Sequence, residues 1–314
     1  MKDKRLIVGT MPAGNKFQFL NFSEEALVTD VTRQRLAVLS YKVHEHRLEK
    51  AWKRFENAGF KPILIKGWAA AQLYPKPFDR QFNDIDLIIN PKEYNAAVDF
   101  LNQFDENSNI DLHRCAKTLD NLTFEKLYSH TKTLKCGETN IRVLCAEDHL
   151  RVLCVHWLID GGAKKEKLRD IFYAVQNRPG DFDWDRCLNA AGETRRNWVI
   201  CAIALTNKYL GLDTKDTPLA VRSATIPPWV INAVEKEWRS NLSLRPLQYC
   251  LGDRRELWRQ LKKRIPPNPI QATIDMEGEF DNGSRIIYQI GDVFFRLKPS
   301  VKRILNLMLQ NKRD

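Results

Sequence analysis

The chain has 314 residues, 43% of them apolar, and a formal net charge of +11. That length allows one large domain or two modest ones, and the apolar share is enough to bury a core and excludes wholesale disorder. No apolar run is long enough to cross a bilayer, the first residues lack a signal-peptide core, and the seven scattered cysteines contain no Cys-x-x-Cys pair. Those features argue against a membrane span, secretion, zinc and a disulfide framework, so a cytoplasmic protein with reduced thiols is the expectation.

Residues 1–22 read as a flexible Gly/Pro arm. Gly9 to Lys16 comes close to a phosphate-binding loop, but Asn15 displaces the lysine and Phe17 stands where Ser or Thr belongs. Residues 23–57 carry a helical pattern with Val31, Leu36, Leu39, Val43 and Phe55 among charges, and Gly59 stops it. His44 and His46 lie two apart, on different helix faces, and make poor co-ligands. The stretch 61–90 opens with the short apolar strand Pro62-Ile63-Leu64-Ile65 and breaks at Lys66-Gly67. It then passes through small residues and a turn with Pro75 and Pro77, and closes on Asp84-Ile85-Asp86-Leu87-Ile88-Ile89.

Residues 91–104 read as a helix with Pro91 in its first turn. A polar loop over 105–109 leads to a second alternating run, Ile110-Asp111-Leu112-His113. Residues 119–135 carry no clear pattern, and Ile141-Arg142-Val143-Leu144 reads as a strand. From Ala146 the character is helical: Leu150, Leu153, Cys154, Trp157 and Leu158 form an apolar stripe, Gly161-Gly162 breaks it, and 164–176 resumes it. Asp181, Asp183 and Asp185 imitate the start of a calcium loop, but Arg186 and Gly192 occupy the glycine and glutamate positions, so helix capping is the better reading. Another helix covers 194–209. The tail from Pro227 mixes aromatic helices with basic runs at Arg254-Arg255, Lys262-Lys263-Arg264 and Lys302-Arg303.

The chemistry concentrates between residues 61 and 113. A strand sends alternate side chains to opposite faces, so Ile85, Leu87 and Ile89 share one face and Asp84 and Asp86 the other. Two neighbouring carboxylates repel unless a cation sits between them, and hard oxygen ligands suit Mg²⁺. Asp-x-Asp alone is also compatible with a solvated strand face. Asp111, on a neighbouring strand, offers a third carboxylate of the kind found in two-metal clamps. Gly67 would let backbone approach a phosphate, with amides of the next helix as donors. Lys66 either steadies a phosphate or caps the strand end. Arg80 either grips phosphate oxygens with its fork or pairs with Asp79 or Asp84. His113 is placed to orient Asp111 or touch substrate. His156 reads as a satisfied core histidine, and Arg169 and Asp170 as pins between the helical part and the sheet.

These motifs resemble those of the DNA polymerase β superfamily of nucleotidyltransferases, and within it the uncharacterised nucleotidyltransferase family. The matching residues are Leu64-Ile65-Lys66-Gly67, Leu73-Tyr74-Pro75, Arg80, Asp84-Ile85-Asp86-Leu87 and Ile110-Asp111-Leu112-His113, followed by Glu147-Asp148, His156 and Leu168-Arg169-Asp170. They cover roughly residues 30–200, and Pro267-Asn268-Pro269-Ile270 adds a thinner match. Trp68 departs from the Ser or second Gly that many superfamily members carry there, which removes a serine contact to the triphosphate.

The resemblance implies an α+β fold: a polymerase β-like core with a small mixed sheet over residues 23–145, then a mostly helical domain over 146–314. It implies ATP or another NTP bound against Lys66, Gly67 and Arg80, and two Mg²⁺ ions held by Asp84, Asp86 and Asp111. Asp111 would take the acceptor's proton as NMP, AMP first among them, moves to a hydroxyl and pyrophosphate leaves. The acceptor stays open among a protein, a peptide, an RNA end, a sugar and a small molecule, and nucleic acid stays open as a partner of the basic tail. The alternative is a nucleotide- or RNA-binding module of the same fold without turnover.

Overall fold

Short strands with apolar residues at one parity make the sheet that carries the site. They are β1 (Ile63–Leu64), β2 (Ile85–Ile88), β3 (Ile110–His113), β4 (Lys132–Cys136) and β5 (Thr139–Val143), in the spatial order β3-β2-β1-β5-β4. β1 runs antiparallel to β2 and parallel to β5, β2 pairs parallel with β3, and β4 pairs antiparallel with β5. The computed structural model describes residues 30–103, 109–219, 226–240, 242, 244, 245, 247–250 and 252–296. The arm expected over 1–22, most of the 105–109 loop and the Lys302-Arg303 run lie outside those residues.

The helices are α1 (Asp30–Asn57), α2 (Trp68–Ala71), α3 (Tyr94–Leu101), α4 (Phe124–Ser129), α5 (Ala146–Ile159), α6 (Leu168–Gln176), α7 (Trp184–Asn189), α8 (Glu193–Leu210), α9 (Pro228–Arg239), α10 (Arg254–Arg264) and α11 (Pro269–Asp275). The mixed sheet with its many helices bears out the α+β expectation. Pro91 precedes α3 by a turn instead of opening it, and the unpatterned stretch 119–135 holds α4 and most of β4. Asp183 caps α7 by accepting from the Arg186 amide at 2.9 Å, as expected of a capping residue.

Each face of the sheet has its own cover. Ile85, Leu87 and Ile89 share one cluster with Leu48, Trp52 and Phe55 of α1, so the parity read from the sequence is the buried one. Ile63, Ile65 and Ile88 lie on the opposite face with Leu119, Leu127 and Val152 of α5. The first half of α1 departs from expectation: Leu36, Leu39 and Val43 are 50%, 61% and 42% exposed. A helix of 28 residues is about 42 Å long, roughly twice the width of five strands, so only its second half has a sheet to cover. Leu150, Leu153, Cys154, Trp157 and Leu158 of α5 form the expected stripe and join α6, α7 and α8 in a separate helical core. α5 thus packs on the sheet with one side and on the helices with the other. Among the described residues no two cysteines form a disulfide. Among the described residues no helix is long and apolar enough to cross a membrane.

Candidate active site

Strand pairing puts the charged residues together. The Ile65 amide donates to the Asp86 carbonyl at 3.1 Å, which extends the antiparallel β1–β2 pairing by one residue. Lys66 therefore leaves β1 beside Asp86, and its Nζ lies 3.0 Å from Asp86 Oδ1. The parallel β2–β3 register sets Asp111 beside Asp86 and His113 beside Ile88. His113 reaches diagonally back, as cross-strand neighbours can, and places Nε2 3.1 Å from the same Asp86 oxygen. His113 thus orients Asp86, not Asp111. Asp86 is only 3% exposed. Burial by itself pushes its carboxyl up, but the His113 hydrogen bond and the Lys66 ammonium outweigh that and hold it below the ordinary carboxylate value.

Gly67 has a reason in the backbone. Its φ is +67°, and a Cβ there would stand 2.9 Å from the Asp84 carbonyl. The turn after β1 presses against the start of β2, and a side chain would push the two apart. Trp68, the departure from the family pattern, is 2% exposed and donates its indole N–H to Glu45 of α1 at 3.3 Å. It is a core residue and does not border the cavity in front of Asp86.

That cavity measures about 450 Å³. Lys66, Gly67, Asp84 and Asp86 border it from the sheet, and Arg80 from the following turn. The helical part contributes His156, Lys164, Glu166, Lys167, Arg169 and Asp170. Arg80 pairs with neither Asp79 nor Asp84. Its Nε and Nη2 donate to the two oxygens of Asp170 at 2.9 and 2.8 Å, and the Tyr74 hydroxyl donates to Asp170 Oδ1 at 2.7 Å. Burial would lower the guanidinium's pKa, but the hydrogen bonds and charge of Asp170 more than reverse this. Asp170 is therefore the expected pin between the two parts of the chain.

His156 is not the satisfied core residue the stripe suggested. Its Nε2 lies 3.5 Å from Lys66 Nζ and 3.7 Å from Asp160 Oδ2, at the cavity's edge. Burial, then the Lys66 charge, push it down to about 4, so it is neutral near pH 7. Lys164 and Lys167 were missed in the sequence: they lie in a charged run after a double glycine, where nothing in the spacing fixes a facing direction. Lys164 and Arg169 make no ion pair among the described residues, while Lys167 holds Asp160 at 3.0 Å.

The carboxylates are not all gathered. Asp84 and Asp86 border the cavity, whereas Asp111 is exposed and does not. Among the described residues no three His, Cys, Asp or Glu side chains converge to hold a metal ion. Asp84 and Asp86 bring to the cavity the hard oxygen donors that suit a divalent cation; Asp86 Oδ1 is taken by Lys66 and His113, and Oδ2 accepts no hydrogen bond among the described residues.

A small mixed α+β sheet whose glycine turn faces an Asp-x-Asp strand is the arrangement that the nucleotidyltransferase motifs led us to expect. Residues 31–107 match the family model described as an uncharacterised nucleotidyltransferase, so the family resemblance is borne out over that stretch. A crystal structure of an antigenic nucleotidyltransferase-like protein from Paracoccidioides brasiliensis is similar to 55% of this chain and 90% of its own. The two are 15% identical with a TM-score of 0.39, a likeness that carries no argument by itself. No curated protein matches the chain.

Proposed function

We propose that the chain is a nucleotidyltransferase that moves NMP, with AMP the first expectation, from an NTP to an acceptor hydroxyl. The observation that carries this reading is the cavity of about 450 Å³, within the roughly 300–1,000 Å³ of small-molecule sites. It sets Asp84 and Asp86 across from Lys164, Lys167 and Arg169, with Glu166 and Asp170 among them, and cations there are what a metal-bound triphosphate needs. Lys66 is placed to exchange Asp86 for a phosphate oxygen, and Lys164, Lys167 and Arg169 to meet the outer phosphates. Gly67 keeps the turn tight against β2. Arg80, whose fork is occupied by Asp170, shapes the wall and keeps its place in nucleotide binding through that role.

Asp84 and Asp86 would hold Mg²⁺, which when bound supplies positive charge toward the triphosphate and the leaving pyrophosphate. Asp111 stands next to Asp86 in register, but it is exposed and outside the cavity, so one ion is proposed at Asp84 and Asp86 and not the two-ion arrangement that the motifs implied. A second reading, a nucleotide-binding module without turnover, is favoured by one observation: the Lys66 ammonium at 3.0 Å already neutralises Asp86. Calorimetric titration of ATP with Mg²⁺, followed by an assay of pyrophosphate release in the presence of cell extract, separates the two. Binding with release supports the transferase, and binding without release supports the module. Absence of binding removes both.

A further inference from the structure

A second cavity, about 160 Å³, borders the first. Lys66 and His156 line both, so these two side chains form a partition between the cavities. Behind the partition the wall is largely aliphatic, with Ile65 from the sheet and Val152, Val155 and Ile159 from α5. The space is well below the roughly 300 Å³ at which nucleotide-sized sites begin, and it suits a group of side-chain size. Its basic side chains are engaged. Lys117 donates to the Ile274 carbonyl at 2.5 Å and lies 3.4 Å from Glu277, and His113 is directed at Asp86. An anionic occupant would find no unpaired cation behind the partition among the described residues.

We propose that this second cavity is the acceptor pocket, that it takes an alcohol or phenol on a small apolar stem, and that His156 receives the acceptor's proton. The inference rests on the transferase reading above. The acceptor oxygen forms a bond to the α-phosphorus, the bond from that phosphorus to the α–β bridging oxygen breaks, and pyrophosphate leaves. The hydroxyl proton goes to Nε2 of His156, which borders both reactants. This moves the base from Asp111, which lines neither cavity. His156 is faced by Lys66, Asp160, Lys167 and, at longer range, Asp86, and the first of these charges together with burial keeps it unprotonated near neutrality. The hydroxyl could sit on a free small molecule or on an amino-acid side chain, since both present the same chemistry.

The test uses the full chain with α-labelled ATP and Mg²⁺. Tyramine and benzyl alcohol serve as free acceptors, N-acetyl-tyrosine amide and N-acetyl-serine amide as side-chain acceptors, and glucose and an RNA oligonucleotide as controls. Label should move to one of the first four, with the first pair and the second pair telling a free compound from a side chain. Filling the pocket from either wall, by Ile159→Trp on α5 or by Ala116→Leu on the segment after β3 that also lines it, should lower kcat/KM for that acceptor about tenfold or more while ATP affinity stays within about twofold. His156→Gln should lower kcat about a hundredfold with little change in acceptor KM. Label on glucose or RNA alone, or filled variants equal to wild type at unchanged thermal stability, would overturn the pocket and leave the transferase reading standing. ATP binding with no labelled product from any acceptor, or no binding, would remove both.

Discussion

Asp86 and Asp170 border one cavity, yet their oxygens are held in opposite ways. Asp170 has both oxygens tied, to the planar fork of Arg80 and to the Tyr74 hydroxyl, on partners that are themselves largely buried. Asp86 takes Lys66 and His113 on a single oxygen, from a flexible amine and an imidazole. A bidentate pair fixes geometry and resists exchange, whereas an ammonium on a four-carbon stem can leave for another oxygen. The difference separates a carboxylate that holds the fold from one poised to meet a ligand, although both come from Asp-containing motifs of the same family pattern.

The largest expected effect lies on the fixed side. Asp170→Ala should destabilise the protein by about 3–5 kcal/mol in urea denaturation, because it leaves Arg80 buried and unpaired. A loss under about 1 kcal/mol would mean that the fork is not holding the two parts together.

Near that pair, His149 is buried with no hydrogen-bond partner for Nε2 among the described residues, and burial pushes it down to about 4. An unfolded histidine takes its proton near pH 6.5. Below that pH the unfolded chain binds a proton that the folded chain does not. The stability is therefore whole above about pH 6.5 and falls until about pH 4, by about 3 kcal/mol for this one group. Comparing urea midpoints at pH 7 and pH 4.5 should show a steeper loss in wild type than in His149→Gln. Parallel losses would remove His149 as the cause.

On the exchangeable side, Gly67→Ala should cost about 2 kcal/mol, from the positive φ and the contact with the Asp84 carbonyl. Differential scanning calorimetry reads this directly, and an unchanged melting temperature would show that the turn relaxes freely. The smallest stability effect should come from Asp86→Asn. It removes the carboxylate charge from Lys66 and His113, whose side chains keep 19% and 33% exposure and so can turn to water, and should change stability by about 1 kcal/mol or less.

Much of this was legible in the residues themselves. The parity of Ile85, Leu87 and Ile89 against Asp84 and Asp86 gave the faces of β2, because a strand allows only two. The break at Lys66-Gly67 marked the turn, because only glycine takes its backbone conformation there. What did not show was contact across long sequence separation. Arg80 offers the same side chain to a nearby Asp79 and to an Asp170 brought in by α6, and only packing chooses. His156 sits on an apolar stripe that predicts burial, yet the helix it belongs to crosses the sheet end where Lys66 emerges. Asp111 shares register with Asp86 as the motif suggests, but β3 is an edge strand, and an edge residue is free to stay exposed.

The measurement that bears most directly on the central distinction is pyrophosphate release with α-labelled ATP, Mg²⁺ and an accepting cell extract, comparing wild type with Asp86→Asn in preparations of matched thermal stability. The expected result is labelled product and pyrophosphate from wild type, and a fall of at least about a hundredfold in the variant with its fold intact. An Asp86→Asn protein that unfolds, or one that is stable and releases pyrophosphate as fast as wild type, would contradict the assignment of Asp86 to the chemistry.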